Sequence, residues 1–176
     1  MLMKISHCKT KWINALSVLL VSANFVSAGT PGKGDKFPDL STYDLEGELP
    51  ALKGKVVLVD FFASWCGPCQ ESFPAMEKLY KKYGEQGLVI VAINLDKKPD
   101  DMKHFLKEHP ASFVIVRDAS YKLVNEIKIP TMPSSFLLDR SGKVYAVHRG
   151  FDGGKTDKQY AEEIEFLLKP SPATGP

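Results

Sequence analysis

The chain has 176 residues, 44% of them hydrophobic and 25% charged, with a net charge of +2; this excludes a disordered or collagen-like polymer and makes one folded domain the expectation. Its 23 basic and 21 acidic residues are interspersed, and no basic run is longer than Lys81-Lys82 or Lys97-Lys98. The electrostatic footprint of a nucleic-acid-binding protein is therefore missing, and no nucleic-acid partner is expected.

Lys4, Lys9 and Lys11 precede an uncharged stretch, residues 12–28 (WINALSVLLVSANFVSA), which closes on Val26-Ser27-Ala28. A basic start, an apolar middle and small residues at the end predict a signal peptide over 1–28, cleaved after Ala28, and hence an exported protein. The alternative is an uncleaved membrane anchor with the domain on the outer side. The stretch just reaches spanning length, but Asn14, Ser17, Ser22 and Asn24 interrupt it. Cleavage also removes Cys8 and leaves Cys66 and Cys69 in an oxidising compartment. A bridge across two intervening residues closes too short a loop to stabilise much through chain entropy. A chain of this length also buries enough surface to fold without a staple. The pair is better explained by reactivity than by stability.

Residues 29–39, rich in Gly, Pro and Lys, read as a linker, with the domain spanning 40–169. Residues 40–49 alternate loosely around Glu46-Gly47 and predict a short hairpin, and residues 55–63 (KVVLVDFFA) form an apolar run suited to a strand buried on both faces. From Gly67 to Tyr83 the apolar positions Phe73, Met76, Leu79, Tyr80 and Tyr83 recur at helical spacing, with Pro74 as a kink point. Gly84 and Gly87 close that helix, and residues 88–95 (LVIVAINL) make a second buried strand, so strand, helix and strand form a parallel crossover. A surface helix over 99–108, a strand over 112–116 and a helical turn or two over 121–127 follow. Residues 135–138 and 143–148 flank Asp139-Arg140-Ser141-Gly142 as an antiparallel hairpin. A helix over 156–168 with Tyr160, Ile164, Leu167 and Leu168 on one face completes the domain, and 170–176 read as a disordered tail.

Trp65-Cys66-Gly67-Pro68-Cys69 stands where the first buried strand gives way to the helix. Free N–H groups and the helix dipole favour negative charge there, so a thiolate at Cys66 is stabilised and Cys66 is the expected nucleophile. Cys69, one turn further in, is placed to attack a mixed disulfide formed at Cys66. Pro68 suits the first helical turn, where no N–H is missed. A structural zinc site would need a second ligand pair, and His104, His109 and His148 lack the spacing to provide it. Haem attachment would need histidine after Cys69, where Gln70 stands, and a peroxiredoxin would carry threonine at Ala63.

Val59-Asp60-Phe61-Phe62-Ala63-Ser64-Trp65-Cys66-Gly67-Pro68-Cys69, with Pro74 and Met132-Pro133, resembles the thioredoxin superfamily over about residues 37–168. The segment over 97–116, the export signal and Met132-Pro-Ser-Ser-Phe-Leu-Leu-Asp139 are similar to its exported TlpA/ResA-like branch. The resemblance implies an α/β thioredoxin-like fold, a central mixed sheet flanked by helices, here with the N-terminal hairpin and a central insertion. It implies a periplasmic thiol-disulfide oxidoreductase without a cofactor, a reductase of protein disulfides. Its partners would be protein thiols and disulfides, as in cytochrome c maturation, and a membrane electron donor of the DsbD/CcdA type. Carried over to this chain, it makes Cys66 the attacking and Cys69 the resolving thiol. Asp60 becomes the buried carboxylate that handles protons, an assignment its place at the end of an apolar strand supports. It also makes Trp65, Gly67 and Pro68 the surface around the thiol, and Met132 and a cis Pro133 the strand-like docking site for substrate. The lysine that partners the buried acid in thioredoxin would fall at Ala92. A disulfide-donating oxidase or isomerase, and a Cu(I)-binding thiol protein, are the alternative functions.

Overall fold

The computed structural model describes residues 29–170; the signal-peptide reading of 1–28 and the tail reading of 171–176 fall outside them. In chain order the elements are β1 (Val56–Phe62), α1 (Gly67–Tyr83), β2 (Leu88–Asn94), α2 (Pro99–Glu108), β3 (Val114–Arg117), α3 (Lys122–Ile127), β4 (Ser134–Leu138), β5 (Val144–Arg149) and α4 (Gly153–Leu168). The strands form one mixed sheet in the order β3-β2-β1-β4-β5. β1, β2 and β3 run parallel, while β4 is antiparallel to β1 and β5 to β4.

β1 is the middle strand and all 7 of its residues are buried, which is why its sequence is apolar without alternation. The two-residue strand period nevertheless divides the core into two layers. Val56, Leu58 and Phe62 pack with Cys66, Cys69, Phe73, Met76, Leu137, Tyr160 and Ile164, beneath α1 and α4. Val57, Val59 and Phe61 pack with Phe136, Leu123, Ile127, Phe37 and Leu40 on the opposite face. α2 is anchored to the first layer through buried Phe105. Its ring lies 5.3 Å from Phe62 and 4.8 Å from Phe73, which in turn lies 4.7 Å from Phe62 and 5.4 Å from Phe113. Each such ring contributes about 1.5–3 kcal/mol by burial alone.

Two expectations need correction. Residues 40–49 form no hairpin: Leu40–Thr42 is a single 3-10 turn in which Asp39 accepts from the Ser41 N–H. Glu46 pairs instead with Arg117 of β3, through reciprocal backbone bonds of 2.9 Å. A two-pronged ion pair adds Arg117 Nε to Glu46 Oε2 at 2.8 Å and Nη2 to Oε1 at 2.9 Å. Gly47, at φ 124°, is required by this docking, because a Cβ there would lie 2.9 Å from the Ile115 carbonyl oxygen. Likewise 29–39 is not a free linker. Gly34 N–H donates to Val144 O at 2.8 Å, Val144 N–H to Asp35 O at 2.9 Å and Phe37 N–H to Gly142 O at 3.1 Å. The physical reason is the second face of the sheet: α3 is only 6 residues long, and Phe37 and Leu40 supply the apolar cover that it cannot.

Candidate active site

Cys66 and Cys69 occupy the junction between β1 and α1. Cys66 is the residue that caps α1: its backbone is extended (φ −89°, ψ 102°) and its Sγ accepts the Cys69 N–H at 3.3 Å. The two sulfurs are bonded to each other, with Cα atoms 5.2 Å apart, so the protein is in its oxidised form. Once that bond is reduced, an N–H aimed at Cys66 Sγ favours a thiolate there. Among the described residues no such donor is aimed at Cys69, which is wholly buried whereas Cys66 is 5% exposed. Gly67 and Pro68 are exposed around the pair, and Trp65 projects into solvent with 70% of its surface free.

The loop that carries the first cysteine is held from below. Asp96, 3% exposed, accepts the Ser64 N–H at 3.1 Å, the Ser64 hydroxyl at 2.9 Å and the Asn94 amide at 2.7 Å. Arg117 Nη1 donates to the Asp96 carbonyl at 3.2 Å, tying this support to β3. Sequence reasoning missed Asp96. A lone acid closing an apolar strand was its only signal, and Asp60 gives the same one.

Asp60 is fully buried and, by strand alternation, lies on the same face of β1 as Leu58 and Phe62, the face beneath α1. Its register neighbours are Ala92 in β2 and Ser135 in β4. Ser135 Oγ donates to Asp60 Oδ1 at 2.6 Å, while Oδ2 has no hydrogen-bond partner among the described residues. Burial pushes the Asp60 pKa up to about 7 against the downward pull of the Ser135 hydrogen bond. Among the described residues no cation offsets the burial, and the neighbouring β2 position is the apolar Ala92.

Met132-Pro133 is a cis peptide bond, as the resemblance implied. Pro133 is buried at the head of β4, and its carbonyl accepts the Gly150 N–H at 2.8 Å. Met132 is half-buried outside the strand, packed against the layer that contains Cys66 and Cys69. The histidines behave as satisfied or surface groups. His148 lies 2.7 Å from Glu163, and exposed His104 lies 3.6 Å from Glu108. A cavity of ≈ 570 Å³ lined by Phe37, Leu40, Leu49, Leu52 and Leu138 lies on the other face of the sheet. A shallow cleft of ≈ 270 Å³ lies between Trp65 and α2.

Residues 32–164 match the family described as Redoxin. The thiol-disulfide oxidoreductase ResA of Bacillus thuringiensis is 37% identical over 139 residues, which cover 77% of this chain and 76% of that one. ResA of Bacillus subtilis is 30% identical over 166 residues, 93% of this chain and 90% of that one. Among solved structures, a Chlorobium tepidum protein described as a thiol:disulfide interchange protein DsbE superposes with a TM-score of 0.72 at 38% identity, covering 79% of this chain and 99% of that one. StoA from Bacillus subtilis gives 0.56 at 28% identity, covering 63% and 83%. With the thioredoxin-like sheet, the helix-capping cysteine pair and these matches together, the chain belongs to the Redoxin family, as a ResA-like thiol-disulfide oxidoreductase.

Proposed function

We propose that the protein is an exported reductase of protein disulfides, acting through a mixed disulfide at Cys66 that Cys69 resolves. One observation carries this reading: Cys66 Sγ accepts the Cys69 N–H at the start of α1, beside the exposed Trp65 and above the buried Asp60. The Cys66 thiolate attacks one sulfur of a substrate disulfide; a Cys66–substrate bond forms and the second substrate sulfur leaves with the electron pair. Cys69 then gives its proton to Asp60 and attacks Cys66 Sγ. The Cys66–Cys69 bond closes, the bond to substrate breaks, and the remaining substrate sulfur departs as a thiolate. Two electrons have moved from the dithiol to the substrate, and no cofactor is needed to carry them.

A shallow surface beside an exposed tryptophan, rather than a deep cavity, suits an extended protein segment as substrate. Trp65, Gly67 and Pro68 form its apolar platform, and the Met132 backbone pairs with it edge to edge ahead of Pro133. The basic and apolar N-terminal sequence supports export to the periplasm. There an oxidising surrounding requires a membrane electron donor, of the DsbD/CcdA type, to re-reduce the pair. Apocytochrome c disulfides are one class of substrate that fits such a reductase.

The test combines trapping with a potential. Cys66→Ser should abolish disulfide exchange, and Cys69→Ser should accumulate covalent enzyme–substrate adducts; full activity in either variant would sink the mechanism. Equilibration of the Cys66/Cys69 couple in thiol buffers should give a potential below roughly −230 mV, whereas a value above about −150 mV would make the protein a disulfide donor instead.

A further inference from the structure

Asp60 sits at the end of a chain of hydroxyl groups that the mechanism has not yet used. Ser135 Oγ lies 2.6 Å from Asp60 Oδ1 and 2.6 Å from the Tyr160 hydroxyl. All three residues are fully buried. The order of donation follows from valence. Ser135 has one hydroxyl proton and gives it to Asp60, so its oxygen accepts from Tyr160. Each hydroxyl in such a row polarises the next. With Asp60 ionised, Oδ1 is thereby committed as an acceptor, and Oδ2, which has no partner among the described residues, is the oxygen left to take a proton.

We propose that Ser135 and Tyr160 are positioning residues for proton transfer from Cys69, a two-hydroxyl relay that fixes Asp60 Oδ1, sets its proton affinity and reserves Oδ2 for the thiol proton. The inference rests on the role given to Asp60 above. The relay provides what the neutral Ala92 on the other side of Asp60 does not. Other groups around this site are few. The first core layer, supplied in part by α1 and α4, includes Phe73, Met76 and Ile164 beside the cysteine pair and Tyr160, and the two helices also bury Ser72 and Thr156. The Tyr160 ring is met edge-on by His148 of β5 at 4.6 Å. That histidine is held by Glu163 of α4, and Asp157 is the other α4 acid that acts on the Tyr160 hydroxyl. Burial first, then the charge of Asp60, and with them these two acids disfavour ionisation of Tyr160 and keep it a donor.

The relay is tested by single-turnover reaction of the reduced protein with dithiobis(nitrobenzoate). Cys66 thiolate breaks the reagent's disulfide, forming a Cys66–nitrobenzoate disulfide and releasing one thionitrobenzoate. Cys69 then closes the Cys66–Cys69 bond and expels the second. The rate of the second release, followed against pH, reads the proton step. Asp60→Asn should flatten this profile. Ser135→Ala should move its midpoint upward by about one pH unit, the loss expected for one hydrogen bond to a charged acceptor. Ser135→Thr, which keeps the hydroxyl, should restore it. Tyr160→Phe should shift it the same way by less, because it weakens the Ser135 bond without removing it. If Asp60→Asn flattens the profile while Ser135→Ala and Tyr160→Phe leave it unmoved, or if Thr fails to rescue, the relay is wrong and the role of Asp60 stands. If Asp60→Asn itself changes nothing, that role fails and the relay with it.

Discussion

The buried carboxyl of Asp60 makes a quantitative prediction about folding stability that does not involve the cysteines. Its ordinary value of 3.8 rises to about 7 in the folded oxidised protein, burial being the larger cause and the Ser135 hydrogen bond opposing it. A raised folded-state value means that the native protein holds a proton that the unfolded chain has already released. The stabilisation is thus complete below pH 3.8 and is lost as the pH rises through about 7. Between pH 5 and pH 8 this group alone should cost about 2–3 kcal/mol of unfolding free energy. Asp60→Asn has no proton to release. Urea unfolding of the oxidised protein at several pH values should therefore show the variant gaining about 2–3 kcal/mol on the parent from pH 5 to pH 8. The fixed penalty for an amide left without partners, about 1–3 kcal/mol, cancels in that difference, as do all titrations the two proteins share. Parallel stability curves for parent and variant would refute the assignment of a proton to Asp60 in this range.

Two further changes probe the supports of the site. Asp96→Asn removes a carboxylate that accepts from the Ser64 N–H, the Ser64 hydroxyl and the Asn94 amide; it should cost about 1–3 kcal/mol and speed hydrogen exchange at the Ser64 amide, and unchanged protection there would show that Asp96 does not hold the loop. Phe73→Ala opens the ring cluster of Phe62, Phe105 and Phe113 and should cost about 3–5 kcal/mol in chemical denaturation; a loss under about 1.5 kcal/mol would mean that α2 closes over the gap.

Much of this molecule is legible in order along the chain because its causes are local. The unbroken apolar run of β1, the helical spacing of α1 and its proline in the first turn depend only on neighbours a few residues away, and the helix bounds Gly67–Tyr83 and Pro99–Glu108 agree with the pattern. A Cys-Gly-Pro-Cys run at a strand-to-helix boundary carries its own electrostatics, so the reactive pair is visible from the same evidence. The segment before β1 is different. Its residues alternate as a hairpin does, yet they pair with β3 and with the start of β5, because the sheet face and Arg117 offer partners that the segment cannot find in itself. The surroundings of Asp60 are the same kind of case. Ser135 stands 75 residues away in sequence and Tyr160 a further 25, and on sequence both are core residues of their elements. Only the insertion of β4 beside β1, with α4 lying across that face, brings an acid and two hydroxyls within 2.6 Å of one another in turn. The sequence alone determined which residues can react. The strand order determined which residues surround the buried acid, because hydrogen-bond distances between strands follow from pairing across the sheet and leave no periodicity along the chain.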